Sequence, residues 1–302
     1  MEYNFSIIIP HKNVPDLLLR LLDSIPQRDD LEVIVVDDNS DNQETIKSSP
    51  VYNRANTSYI FLDKDQANGA GKARNIGMQY AKGRWLLFAD ADDFYTDKIS
   101  HILDKYAHDS ETEIVYLSTQ YYYDNGNTAP LSSYNRYIQS YLERKKYSED
   151  VLRYQMWSPW TRMVRKDIVD KHNLQFEEIP VGNDVMFSLQ CSKFASSIKA
   201  ETDIVYNYYA PDKGSVTCAY SKNVNNFRTK LELQLRQLNF YKNVNYKFKN
   251  SFLYFYLRYP ADNKNTQTRK LLWDFIKKEK INMIADFYNM LKLIFARLLK
   301  TI

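Results

Sequence analysis

The chain has 302 residues, room for one large core or two modest ones, and its 44% hydrophobic and 26% charged content excludes a disordered or low-complexity protein. Two cysteines, Cys191 and Cys218, are too few for a disulfide framework and are not spaced as metal ligands, so a reducing cytosol is the expected compartment. The net charge of +4 divides unevenly: residues 221–302 hold 17 Lys and Arg against 5 Asp and Glu (+12), leaving 24 against 32 (−8) for residues 1–220.

The opening MEYNFSIIIPHKN has a short apolar run ended by Pro10, with no basic leader or small-residue cleavage site, and reads as a buried strand. DLLLRLLDSI (16–25) follows Pro15 with helical spacing, and LEVIVV (31–36) is a second buried strand, which makes a βαβ unit. SYIFL (58–62), a helix over GAGKARNIGMQYAK closed by Gly83, and RWLLFA (84–89) continue the alternation. Strands apolar on both faces predict a parallel sheet covered by helices on each side. From 113 to about 210 the pattern is mixed, with Tyr-rich runs, a helix near 147–155, a helix beginning near Asn183 and a strand at SIKAETDIVYNYY. It reads as an α+β half of the same domain, since no Gly-, Pro- or Ser-rich linker intervenes. The expected division is a domain over 1–220 and a basic helical region over 221–302.

In such sheets ligands collect at the carboxyl ends of the strands. That rule gathers three polar clusters on one rim: Pro10-His11-Lys12-Asn13, Asp37-Asp38-Asn39-Ser40, and Asp90 with Asp92 and Asp93. Three carboxylates in four positions repel one another unless a cation or a hydrogen-bonding partner compensates them. A hard ion such as Mg²⁺ or Mn²⁺, held by one or two carboxylates and completed by substrate phosphate oxygens, is one solution. A turn in which Thr96 caps the next helix is the other. Two further acidic positions on the rim favour the ion. NGAGKARNIG lacks the spacing of a dinucleotide fingerprint, and its Gly-Lys is followed by Ala73, so neither nucleotide loop is expected there. Lys72 and Arg74 face phosphates or an exposed helix surface.

The strings SIIIPHKN, VIVVDDNSDN and GKARNIGMQYAKGRWLLFADADD, in that order, resemble the N-terminal half of family 2 glycosyltransferases. WSPWTRMVRKDIV, VGNDVMFSLQC and VYNYYAPDKGSVT resemble the family's later segments, so the resemblance covers roughly residues 4–218 and leaves the tail unmatched. It implies an α/β GT-A fold, with a Rossmann-like, mostly parallel sheet and helices on both faces, here followed by a helical C-terminal extension. It also implies inverting transfer of a sugar from a nucleotide-sugar donor, expected to be uridine-linked. The acceptor would be a glycan or a polyprenyl-diphosphate-linked oligosaccharide of bacterial surface-polysaccharide assembly. Position by position, Pro10 and Asp38 border the base, Asp37 supports that turn, Arg74 reaches the base or diphosphate, and Asn75 holds the loop. Asp90 contacts the ribose or the metal's water, Asp92 ligates Mn²⁺ or Mg²⁺, Asp184 is the general base, and Lys213 faces the diphosphate. Where the family more often has Glu before that last Asp, this chain has Asn183, which bears on the acceptor contacts.

Bland readings stand beside these. Asp184 alone could be a charge at a helix N-terminus. Trp157, Trp160 and Tyr121 to Tyr123 could stack on an acceptor sugar, while most of the 25 tyrosines are packing. A sugar-nucleotide pyrophosphorylase would need a Gly-rich basic loop where PHKNVPD stands, and a non-catalytic membrane scaffold would use only the tail. In INMIADFYNMLKLIFARLLKTI (281–302) polar residues recur every three to five positions and leave a broad apolar face. With the preceding RKLLWDFIKKEK this predicts either a helix in an anionic membrane interface, through 269–302, or one packed on protein. No stretch reaches the ~20 apolar residues of a spanning helix. A cytoplasmic protein, peripheral on the inner face of the cell membrane and without nucleic-acid partners, is the expectation.

Overall fold

The structure is a computed structural model that describes residues 3–41, 43–211, 224–248, 250–258 and 266–298. The chain divides into two compact units, Met1–Ile179 with Asn183–Asp212, and Pro180–Gly182 with Lys213–Ile302.

In the first unit the apolar runs form the centre of one sheet. The strands are β1 (Phe5–His11), β2 (Leu31–Asp37), β3 (Thr57–Phe61), β4 (Trp85–Phe88), β5 (Phe94–Tyr95), β6 (Ile114–Tyr123), β7 (Thr128–Pro130), β8 (Arg162–Arg165) and β9 (Ile198–Ala210). Their order is β3-β2-β1-β4-β8-β6-β9-β5, with β7 paired to β6. β3, β2, β1 and β4 are parallel, as expected of strands with apolar side chains on both faces. Beyond β4 the sheet is mixed: β8 runs antiparallel to both β4 and β6, β5 is antiparallel to β9, and β6 and β9 are parallel across an irregular register.

Alternation along the strands divides the core between two faces. Ile7, Ile9, Val33, Val35 and Leu87 pack with Leu18, Leu21 and Leu22 of α1 (Pro15–Ser24) and with Ile99, Ile102 and Leu103 of a later helix, Lys98–Tyr106. Ile8, Ile34, Val36, Leu86 and Phe88 pack the other way, against Ala73 and Met78 of Gly69–Tyr80 and Phe187 and Cys191 of Val185–Phe194. In chain order the helices of this unit are α1, α2 (Glu44–Lys47), α3 (Gly69–Tyr80), α4 (Lys98–Tyr106), α5 (Ser132–Leu142), α6 (Ser148–Gln155), α7 (Lys166–Lys171) and α8 (Val185–Phe194). α3 lies close to its neighbours because glycines allow it: a Cβ on Gly71 would sit 2.2 Å from the Glu177 carbonyl oxygen, and one on Gly77 2.4 Å from Ile8 Cγ2.

The second unit contains α9 (Val224–Asn243), α10 (Phe252–Arg258), α11 (Thr266–Lys278) and α12 (Met283–Leu298). Phe227, Leu231, Phe252, Leu272, Phe275 and Ile276 form its core. Asp286 of α12 is buried and serves the N-terminus of α10. Its carboxylate accepts Phe252 N at 2.8 Å, Leu253 N at 3.0 Å and Ser251 Oγ at 2.9 Å. Among the described residues no helix is long and apolar enough to cross a membrane.

Candidate functional site

The three polar clusters do lie at the carboxyl ends of β1, β2 and β4, which are adjacent in the sheet. Pro10 and His11 close β1, where they pair with Val36 and Asp37 of β2. Asp37 is 1% exposed and ties two loops together. It accepts His11 Nδ1 at 2.7 Å, Ser40 Oγ at 2.6 Å, Ser40 N at 2.9 Å and Gln43 Nε2 at 3.1 Å. Val14 N donates to His11 Nε2 at 3.3 Å, which leaves the imidazole proton on Nδ1. Burial works against ionising Asp37, but the bonds from His11 and Ser40 outweigh it and hold the carboxyl below its ordinary range.

Asp38 is buried too, and is already engaged. Its oxygens accept the backbone N–H groups of Asn68 and Gly69 at 3.0 to 3.1 Å, with Lys12 Nζ at 3.3 Å. Asn68 offers α3 no side-chain cap, so a residue thirty positions upstream supplies one. Gly69 has φ of +79°, a left-handed conformation suited to glycine.

Arg74, from α3, is 5% exposed. Its guanidinium meets Asp90 Oδ1 at 2.5 Å and Asn183 Oδ1 at 2.9 Å and lies 5.3 Å from the ring centroid of Phe176. Asn75 beside it exchanges two hydrogen bonds with the backbone of Phe176, at 2.8 and 2.9 Å, and so fastens α3 to the segment leading to Asp184. Asn183, the departure from the family pattern, is a neutral partner for Arg74 and leaves the arginine's charge to Asp90.

After β4 the chain turns through Asp90, Asp92 and Asp93. Asp93 N donates to Asp90 O at 3.0 Å, and Asp90 N donates to the Tyr206 hydroxyl at 2.9 Å. Arg20 of α1, its guanidinium 4.6 Å from the ring centroid of Phe94 and 4.7 Å from that of Tyr209, donates to Asp92 O at 2.6 Å. Burial, followed by the charge of Asp90, pushes the Asp92 carboxyl up to about 6. Asp93 is fully buried; its Oδ1 accepts Tyr209 N at 2.8 Å, while Oδ2 meets no donor in hydrogen-bonding geometry. Burial, Asp90 and Asp92 together raise its proton affinity far above the ordinary range, though the nearby Tyr206 hydroxyl works the other way. Thr96 has part of the capping role expected of it: its hydroxyl accepts Lys98 N at 3.3 Å at the start of α4 and donates to Ile204 O at 2.7 Å. The turn and the cap are therefore both present, yet among the described residues only Asp90 has an ion-pair partner, Arg74, and the Asp92 and Asp93 carboxyls have none.

Asp184 stands at the N-terminus of α8 but makes no side-chain capping bond to it. Burial raises its proton affinity, the Arg74 charge opposes this, and Asp90 adds to it. Asp184, Arg74 and Asp90 thus lie within one another's electrostatic reach, with Asp92 next along the turn. Among the described residues no set of three or more His, Cys, Asp and Glu is arranged to ligate a metal. Lys213 lies outside the described residues. Lys72 pairs with Glu178 at 3.1 Å.

Several participants carried no sequence signal strong enough to find them. Tyr206 and Tyr208, on β9, face the acidic turn, and burial followed by Asp93, Asp92 and Asp90 pushes the Tyr208 hydroxyl up to about 12. Trp160 is 7% exposed and stacks on both, with ring centroids 5.2 and 5.4 Å apart, so it acts by packing. Trp157 Nε1 donates to Tyr154 O at 2.7 Å.

Comparison with known proteins places this arrangement. The profile described as Glycosyl transferase family 2 matches residues 6–172. The poly(ribitol-phosphate) beta-N-acetylglucosaminyltransferase TarS of Staphylococcus aureus is 25% identical over 215 residues, 70% of this chain and 36% of that protein. The UDP-Glc:alpha-D-GlcNAc-diphosphoundecaprenol beta-1,3-glucosyltransferase WfaP of Escherichia coli is 34% identical over 122 residues, 39% of this chain and 45% of that one. The chain therefore spans less than half the length of either relative. Among solved structures, S. aureus TarS 1–349 in complex with UDP-GlcNAc has a TM-score of 0.64 at 21% identity, covering 91% of this chain and 81% of that one. The mannosyltransferase PcManGT from Pyrobaculum calidifontis, in complex with GDP-Man and Mn²⁺, has a TM-score of 0.55 at 15% identity, covering 100% and 79%. At these identities the structural likeness establishes the shared GT-A-type fold. With the family profile matched across more than half of its length, the chain belongs to glycosyltransferase family 2.

Proposed function

We propose that the chain transfers a sugar from a uridine-linked nucleoside diphosphate to a hydroxyl of a glycan or polyprenyl-diphosphate-linked acceptor, inverting the anomeric centre in one displacement. The observation that carries this reading is the convergence of Arg74, Asp90, Asp92 and Asp184 at the ends of the parallel strands. Asp37 and Asp38 shape the wall beside them: both are fixed by hydrogen bonds, so the base meets a rigid edge bordered by Pro10.

Asp92, with Asp90 beside it, fits a hard divalent cation, because a carboxyl raised by burial and like charge gains most from a positive ion. Such an ion, Mn²⁺ or Mg²⁺, supplies neutralisation of the charge that develops on a departing diphosphate. Arg74 holds Asp90 in place, and Asn75 fastens α3 to the segment that leads to Asp184. Lys213 enters the proposal as a basic residue opposite the diphosphate. Asp184 is free of the helix cap and has its proton affinity raised by burial, which suits it to take the proton of the attacking hydroxyl. Acceptors of the lipid-linked class are met at the cytoplasmic face of a membrane, where the chain would work as a peripheral protein.

Pyrophosphorylase chemistry is not favoured, since the family profile covers the first strand and its loop, and Asn13 there is spent on Ser40 and Asp41. Mass-detected turnover across a panel of UDP-sugars, with and without Mn²⁺, tests the proposal. Asp184→Asn should reduce turnover by about 10²- to 10⁴-fold while UDP affinity stays within about twofold. Full turnover in that variant, or equal binding of UDP by Asp92→Ala and the parent with Mn²⁺, would overturn it.

A further inference from the structure

We infer that the outward face of α12 is a seat for an anionic lipid bilayer. The geometry comes from Asp286. Its three hydrogen bonds at the N-terminus of α10 fix the rotation of α12 about its own axis. At about 100° per residue, Ile284, Phe287, Tyr288, Leu291 and Phe295 then fall roughly 100° to 200° away from Asp286, on the side turned from the unit's own core. Their exposure agrees: 85%, 50%, 59%, 40% and 67% respectively. A continuous row of five large apolar side chains in water marks a binding surface, where one alone would mean nothing.

Charge decides the occupant. Lys292 borders the row, its ammonium 4.0 Å from the Tyr288 ring centroid. On α11, Trp273 is 43% exposed and has Arg269, Lys270 and Lys277 at positions i−4, i−3 and i+4, all exposed. An aromatic residue flanked by cations with long apolar stems suits the headgroup level, where phosphates meet the charges and acyl chains take the rings. The core of a protein interface is instead depleted of lysine. Since no helix among the described residues is long and apolar enough to span, α12 would lie in the interfacial plane. This deepens the membrane placement proposed above, and its failure would leave the donor chemistry standing because the two are measured separately.

Flotation of the intact chain with vesicles of phosphatidylcholine, alone or mixed with phosphatidylglycerol, tests the inference. Binding should be at least about tenfold stronger to the mixed vesicles and should fall with added salt. Phe287→Glu with Phe295→Glu should weaken it at least about tenfold, with UDP affinity and circular dichroism unchanged. If that pair fails to fold, Ile284→Ser with Phe295→Ser carries the same expectation. No binding to either vesicle, or equal binding by parent and variants, would overturn the inference. So would a parent that self-associates without binding vesicles and becomes monomeric in the variants, since the face would then seat a second copy.

Discussion

Replacing Asp92 by Asn should stabilise the metal-free protein while abolishing its response to nucleotide and metal. In the folded chain, burial and the charge of Asp90 move the Asp92 carboxyl from 3.8 up to about 6. Between those two values the folded state keeps a proton that the unfolded state has released, so stability falls as pH rises through the window and the loss is complete above it. At 1.36 kcal/mol per unit this amounts to roughly 3 kcal/mol. Asparagine carries no charge to desolvate, and should recover about 1–3 kcal/mol near neutral pH once its own buried amide is allowed for. For a unit of this size that is a rise of roughly 3–8 °C in the unfolding midpoint. Circular dichroism melts in EDTA should show the gap between variant and parent widening from about pH 4 to about pH 6 and staying level above that. Addition of UDP and Mn²⁺ should then raise the parent's midpoint and leave the variant's in place. A variant that melts below the parent near neutral pH, or a gap indifferent to pH, would refute the idea that this carboxylate is held uncompensated.

Three further outcomes are expected. Arg74→Met leaves Asp90 without its cation and should cost about 3–5 kcal/mol in chemical denaturation, with UDP binding lost as well. Gly71→Ala must displace the Glu177 carbonyl, so it should destabilise by about 1–3 kcal/mol and lower turnover through the shift of α3; an unchanged melt would show that this approach is looser than described. Asp286→Ala removes three hydrogen bonds at the start of α10 and should cost about 2–4 kcal/mol, read as faster proteolysis within the second unit and little change in UDP affinity.

The parallel half of the sheet was legible because its strands carry short-range patterns, apolar runs such as 5–9 and helical spacing after Pro15; the expected glycine stop is not where the third helix ends, since that helix finishes at Tyr80 with Ala81 as its C-cap, ahead of Gly83. The rim clusters followed from that topology. The second half was harder to read, because β5 is only two residues long and β9 pairs with both β5 and β6, which no local periodicity encodes. Site details hid for a similar reason. Asp38 caps α3 across thirty positions, Arg20 holds Asp92 from seventy-two positions away, and Tyr206 receives the Asp90 amide from further still. Arg74, which the sequence directs toward a ligand, is bound to Asp90 and Asn183. Trp160 was open to a stacking role with sugar and is stacked on tyrosine.

The plug that Asp38 forms at the start of α3 bears on how the phosphates of a donor can be held. In many nucleotide sites the positive pole of a helix greets the incoming phosphates directly. In this chain a resident anion already occupies that pole, and the amides of Asn68 and Gly69 are taken. Those two amides are therefore closed to a diphosphate at this rim, and the expected outcome is that donor affinity, measured with and without Mn²⁺, responds to the divalent ion.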